Sequence, residues 1–124
     1  MPASFSSTPY QYQEIVAGDA DDLVSRNITL LSGQNLPAGA VLGKITTTDK
    51  YTLSVAAATD GSQTPDLILA EACDAGGGDK PAIAWIGGQF IAENLTLGAG
   101  HTIAGIRDGL QDRRGILLVS SLGA

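Results

Sequence analysis

The sequence predicts a mainly β fold: one small domain of short strands and hairpins, with one short C-terminal helix and a flexible N-terminal arm. Three observations carry that expectation. Sixteen glycines are scattered without a period among 124 residues, which suits many turns between short strands. Short apolar runs recur between turn-rich segments, and one stretch after residue 102 repeats its apolar residues at helical spacing. Hydrophobic residues make up 44% of the chain and aromatic ones only 5%, so the core must be built mainly from Ala, Val, Ile and Leu. A chain of this length buries about two-thirds of its extended surface, enough for a true core.

Taken in order, residues 1 to 22 form the arm. They hold Glu14, Asp19, Asp21 and Asp22 and no Lys or Arg, so they carry −4 of the formal −6. A Ser-, Pro- and acid-rich segment of this kind buries too little surface to offset its ordering entropy. The folded domain is expected over residues 23 to 124, starting at Leu23. NITLLSG (27 to 33) and AVLGKITTT (40 to 48) are its first strands, and YTLSV (51 to 55) follows across Asp49 and Lys50 as a hairpin partner. DGSQTPD (60 to 66) is a loop by its turn chemistry, LILAEAC (67 to 73) is apolar enough for a central strand, and AGGGDKP (75 to 81) is a flexible turn. AIAWIGG and QFIAENL read as a hairpin joined at Gly87 and Gly88.

The helix starts at Thr102 as its cap. Ile103, Ile106 and Leu110 share a face, Arg113 and Arg114 suit the negative C-terminal end, and Gly115 stops it. Gly105 and Gly109 each weaken it by about 1 kcal/mol against Ala, so it depends on packing its Ile face on the sheet. ILLV (116 to 119) closes the fold as a strand. Leu36-Pro37-Ala38-Gly39 and Leu97-Gly98-Ala99-Gly100 echo each other before apolar elements, which suggests a repeated turn.

The chemistry-bearing residues are few. Seven Lys and Arg give no basic stripe for phosphates, so nucleic-acid binding is not expected. The one cysteine, Cys73, forms no intramolecular disulfide, is compatible with a reducing compartment and reads as a buried thiol. No apolar run is long enough for a membrane span, and the N-terminus lacks the basic and apolar regions of a signal peptide. His101, the one histidine, has no Cys or carboxylate beside it and reads as structural or solvent-facing. From Asp19, DADDLVSRN fails as a calcium loop because Val24 stands where Gly is needed, and the GGGDK stretch lacks the phosphate-loop pattern. No metal, cofactor or catalytic residue is expected, and the reading is a protein that is not an enzyme. Trp85 and Phe90 flank the glycine pair. They read as core residues in the first place and as a possible subunit interface in the second.

With these pieces in hand, the chain resembles the head decoration protein D family of lambda-type tailed bacteriophages. The resemblance rests on LPAGAVLGKITTTDKYTLSVAAATDGSQTPDLILAE, the GDK turn, GGQF, LTLGAGHTI and RDGLQDRRGILL in collinear order over nearly all of residues 28 to 119. It implies a β-rich domain with a short helix, assembling as a homotrimer at threefold positions of the expanded capsid and cementing the shell against packaged DNA. It further implies the major capsid protein as partner, the outer capsid surface of the virion as location, synthesis in the host bacterial cytoplasm, and no catalytic residue or cofactor. A β-rich module displayed on the virion for a host-surface ligand is the alternative.

That resemblance gives the arm a role by position. In Tyr10-Gln11-Tyr12-Gln13 the tyrosines share a strand face, and Pro9 at the start does not interrupt the later donors. Pro9, Tyr10, Tyr12, Ile15 and Val16 are therefore the candidate capsid-binding residues, adding a strand to an exposed edge of the capsid protein.

Overall fold

A computed structural model describes residues 24–119. In chain order it holds β1 (Val24–Leu30), β2 (Asn35–Leu36), β3 (Val41–Lys44), β4 (Tyr51–Leu53), β5 (Pro65–Leu69), β6 (Cys73–Asp74) and β7 (Lys80–Ile91). A 3-10 turn (Ala92–Asn94), helix α1 (Ile103–Arg114) and β8 (Ile116–Val119) follow. The fold is mainly β with a short helix near the C-terminus, as the sequence predicts.

Strand pairing closes a barrel. The order β1-β4-β3-β5-β7 returns to β1, because β7 pairs antiparallel with β1 from Lys80 opposite Leu30 to Gly87 opposite Val24. The join between β1 and β4 is the weak seam, a parallel contact registered at Leu30 and Tyr51 alone. β8 lies parallel to the second half of β7, with Ile116 opposite Gly88 and Val119 opposite Ile91. The β2–β6 ribbon places Leu36 and Cys73 in the barrel core.

The two-residue period of a strand sorts the apolar residues onto the two faces of this wall. Leu30, Leu42, Leu67, Leu69, Ala84 and Tyr51 fill the barrel interior. Their neighbours Val41, Ile68 and Trp85 point the other way and join Phe90, Ile106, Leu110, Ile116 and Leu118 in a second core beneath α1. Runs such as Leu67-Ile68-Leu69 are continuously apolar because both faces of the wall are covered.

The helix is built from the residues expected of it. Thr102 Oγ1 accepts from the Gly105 N–H at 3.1 Å, Gly115 adopts a left-handed φ of 68°, and its N–H returns to the Gln111 carbonyl at 2.9 Å. The echoed turns are also real. Ala40 N–H reaches Pro37 O and His101 N–H reaches Gly98 O, with Gly39 (φ 92°) and Gly100 (φ 85°) at the third position of each. The chain segments beside them pair, Thr96 donating to Gly39 O and accepting from Val41 N–H, both at 3.0 Å.

Two strand expectations are corrected. Gly87 and Gly88 do not turn a hairpin: β7 runs unbroken through them for 12 residues. A Gly-Gly pair permits a turn without demanding one, and here the strand changes partners instead. Before the pair, β7 bonds to β1 and β5; after it, to β8. The register with β1 shifts between Val24 and Ser25, passing over Ile86, and Gly88 takes a φ of 129°. LILAEAC, for its part, is not one central strand: β5 starts earlier, at Pro65, and ends at Leu69, and Cys73 belongs to the separate β6.

Candidate functional site

The arm candidates Pro9, Tyr10, Tyr12, Ile15 and Val16 lie outside the described residues. What is described is the strand they lead into. β1 begins at Val24, which is 51% exposed, and Ser25, Arg26, Asn27 and Thr29 are exposed as well. One edge of this strand is bonded to β7. Its opposite edge meets β4 only at Leu30, so among the described residues no strand pairs with it from Ser25 to Thr29.

Which main-chain groups face that open edge follows from the register. Pro81 stands opposite Thr29 and has no N–H, while the Ile83 carbonyl, opposite Asn27, is taken by Ala70 N–H at 2.8 Å. Thr29 and Asn27 are therefore in non-hydrogen-bonded pairs with β7, and so is Ser25 by alternation. The N–H and C=O groups of Ser25, Asn27 and Thr29 therefore point along the sheet away from β7.

The two aromatic candidates part company. Phe90 has 0% exposure in the outer core and offers no surface of its own. Trp85 is half-buried against the same core, its ring centroid 6.4 Å from that of Phe90 at a tilt of 38°. Trp85 stands between Ser25 of β1 and Ile68 of β5, two residues before the bend at Gly87.

His101 has a partner that the sequence does not announce. Its Nε2 lies 3.0 Å from Ser54 Oγ, 47 positions away. Ser54 Oγ gives its one proton to the Ser62 carbonyl at 2.7 Å, so Nε2 carries a hydrogen and donates to Ser54. Ser54 is 0% exposed, and its hydroxyl ties two loops and the helix entry together rather than facing a substrate. The contact is legible only once the turn at Gly98–His101 has been placed against Ser54, whose carbonyl occupies the space a Gly98 Cβ would need.

Charged groups staple other loops. Asp60 is held below its ordinary carboxyl value by hydrogen bonds from the Ser62 hydroxyl and N–H. Asp79 is lowered by Lys50, 2.5 Å away, and by the Ser32 N–H at 2.8 Å. Arg114 grips Asp66 with two bonds of 2.9 and 3.0 Å, which raises the guanidinium above its usual value, and Arg113 caps the Pro65 carbonyl. Every buried polar side-chain atom among the described residues has a partner. Among the same residues no cluster of His, Cys, Asp and Glu is placed to hold a metal, and no helix is long and apolar enough to cross a membrane. A shallow groove of about 490 Å³ runs over Asn27, Cys73, Pro81 and Ile83, with Glu71 and Lys80 at its rim.

A comparison with protein-family models matches residues 5–116 to bacteriophage lambda head decoration protein D. No curated protein matches the chain. The match covers most of the chain, arm included, and the chain belongs to this family.

Proposed function

We propose that this member of the head decoration protein D family binds the outer surface of the expanded phage head as a homotrimer at threefold positions, with the major capsid protein as its partner. It stabilises the shell against the pressure of packaged DNA. Membership of the family gives the decoration role; the further detail rests on the way the arm is joined to the barrel. The family match begins at residue 5 and runs through the arm into β1, an exposed strand with one edge unpaired from Ser25 to Thr29 among the described residues. A strand-forming arm rooted in a closed barrel is suited to β-addition, in which main-chain bonds give affinity and alternate side chains give fit. Tyr10, Tyr12, Ile15 and Val16 supply those side chains, with Pro9 marking the start. Three arms on one trimer act together through effective concentration, so contacts that are weak singly hold the assembled ring.

The test is co-sedimentation with expanded, decoration-free heads. The full chain is expected to bind to saturation, and both a chain beginning at Leu23 and the Tyr10→Ala/Tyr12→Ala variant to bind at least tenfold more weakly. Equal binding by all three moves the contact from the arm to the barrel. No binding by any of them ends the decoration reading for this chain.

A further inference from the structure

One rim of the barrel carries a polar cleft of about 360 Å³. Lys44 and Thr46 line it where β3 ends, Asp49 in the turn to β4, Thr64 and Asp66 where β5 begins, and Arg113 in the last turn of α1. Gly61 completes the wall at a φ of 104°, and a Cβ there would strike the Thr46 hydroxyl, so only glycine leaves that hydroxyl its place.

The charges of the lining do not cancel. Both Asp66 oxygens accept from Arg114, at 2.9 and 3.0 Å, and Asp49 meets Lys44 at 3.3 Å. Asp60, next to Gly61, bonds back to the Ser62 N–H and hydroxyl and is not part of the lining. That leaves Arg113. One Nη donates to the Pro65 carbonyl, and no carboxylate among the described residues forms an ion pair with it. A guanidinium holds five donors in a planar fork that fits a carboxylate. Thr46 and Thr64, both exposed, add hydroxyls to the same space. The carbonyls ending α1 offset about half a unit of positive charge, which still leaves the lining positive.

Strand register sets this cleft beside the start of β1. Pro65 stands opposite Gly43, the residue before Lys44, and Ile68 stands opposite Trp85, so Asp66 comes level with Gly87. Gly87 is itself opposite Val24. The Arg114 carbonyl and the Val24 side chain lie 3.8 and 3.9 Å from where a Gly87 Cβ would stand. The cleft and the first residue of β1 therefore share one rim of the barrel.

We propose that this cleft takes a single Glu or Asp side chain of the capsid protein, held by Arg113 together with Lys44 and the two threonine hydroxyls. The proposal rests on the capsid-binding reading for the source of the carboxylate, and it adds to the arm a contact made by the folded barrel. A directional charge contact of this kind fixes register on the shell more than it adds affinity.

The experiment titrates the full chain with propionate and, separately, with propionamide at constant ionic strength, following the Gly61 and Thr64 amides and the Arg113 Nε–H by NMR. Shifts are expected to saturate with propionate, to stay flat with propionamide and to vanish in Arg113→Gln. An equal response to both probes, or one that survives in Arg113→Gln, overturns the cleft as a carboxylate site. On expanded, decoration-free heads, Lys44→Gln and Arg113→Gln are each expected to bind about twofold to fivefold more weakly than the unaltered chain, as loss of an exposed ion pair does. Raised salt should shrink the difference. Lys44→Gln leaves the Arg113–Pro65 bond in place, so its effect does not come from a loosened helix. Undiminished binding by both variants overturns the capsid carboxylate as occupant. If the unaltered chain itself fails to sediment with heads, the capsid-binding reading falls, while the propionate response still decides whether the cleft holds a carboxylate.

Discussion

The two cores differ in what encloses them. The barrel interior, with Leu30, Leu42, Leu67 and Leu69 all at 0% exposure, is surrounded by strands whose hydrogen bonds run almost completely round, the seam at Leu30 and Tyr51 excepted. The outer core is as dry, with Phe90, Leu110 and Ile116 also at 0%, yet its roof is one helix that carries Gly105 and Gly109 and bonds to the barrel through Arg113 and Arg114. Equal burial therefore does not mean equal resistance to opening. Main-chain bonds must break to open the barrel, whereas the helix can lift by losing side-chain contacts alone.

Removing the largest fully buried side chain from the outer core tests this most severely. Phe90→Ala is expected to cost about 3–5 kcal/mol in denaturant unfolding, and Leu67→Ala inside the barrel about 2–5 kcal/mol. The informative difference lies in amide exchange. Phe90→Ala should quicken exchange in α1 and β8 before the β3 and β5 amides follow, while Leu67→Ala should quicken all of them together. Simultaneous loss in both variants would mean that the two cores open as one unit.

A smaller effect probes where the layers are pinned. At Gly98 an added Cβ would meet the Ser54 carbonyl, in the loop contact that also holds His101. Gly98→Ala is expected to lower stability by about 1–3 kcal/mol, as overpacking against backbone does. His101→Ala leaves Ser54 Oγ bonded to Ser62 and should cost less, about 1 kcal/mol. If the order reverses in thermal or denaturant unfolding, the ring contact rather than the close approach is what pins the loop. Of similar size is the tie at the far end of the helix. Asp66→Asn keeps the shape and one acceptor oxygen but removes one charge of a partly buried pair, so about 1 kcal/mol is expected, with the loss confined to the last turn of α1 in amide exchange.

The same contrast explains what was legible in the sequence. The helix was, because Thr102, the Ile103/Ile106/Leu110 face and Gly115 are local signals that mean one thing. The echoed turns were, since Gly39 and Gly100 are both needed at positive φ. Gly87-Gly88 was not, because whether a glycine pair folds back or runs on depends on the strands alongside, and β8 and β1 are remote in sequence. The His101–Ser54 contact and the β1 edge left unpaired among the described residues were hidden for the same reason. Each depends on register between segments about 50 residues apart, and in the case of β1 on the missing N–H of Pro81. The arm candidates Tyr10 and Tyr12 were read from local alternation alone, and the family match spans them without assigning them a contact.

The smallest expected effect concerns acid, and it probes the loops held by Asp60 and Asp79. Asp79 joins the Ser32 and Lys50 loops, and Asp60 holds its own loop through Ser62; both carboxyls sit below their ordinary value of 3.8 in the folded chain. A carboxyl lowered on folding contributes its stability above the unfolded value, loses it as pH falls from there through the folded value, and contributes nothing below both. Unfolding midpoints should therefore hold steady down to about pH 4 on this account and fall below it. Asp79→Asn should lower the midpoint slightly at neutral pH and make the acid limb shallower, because the group whose protonation drives it is gone. Both carboxylates are exposed, so raising the salt concentration should shrink the Asp79 effect, which depends on Lys50, more than the Asp60 effect, which depends on bonds from neutral Ser62. An acid limb left unchanged by Asp79→Asn and Asp60→Asn alike would move the acid sensitivity away from these two loops.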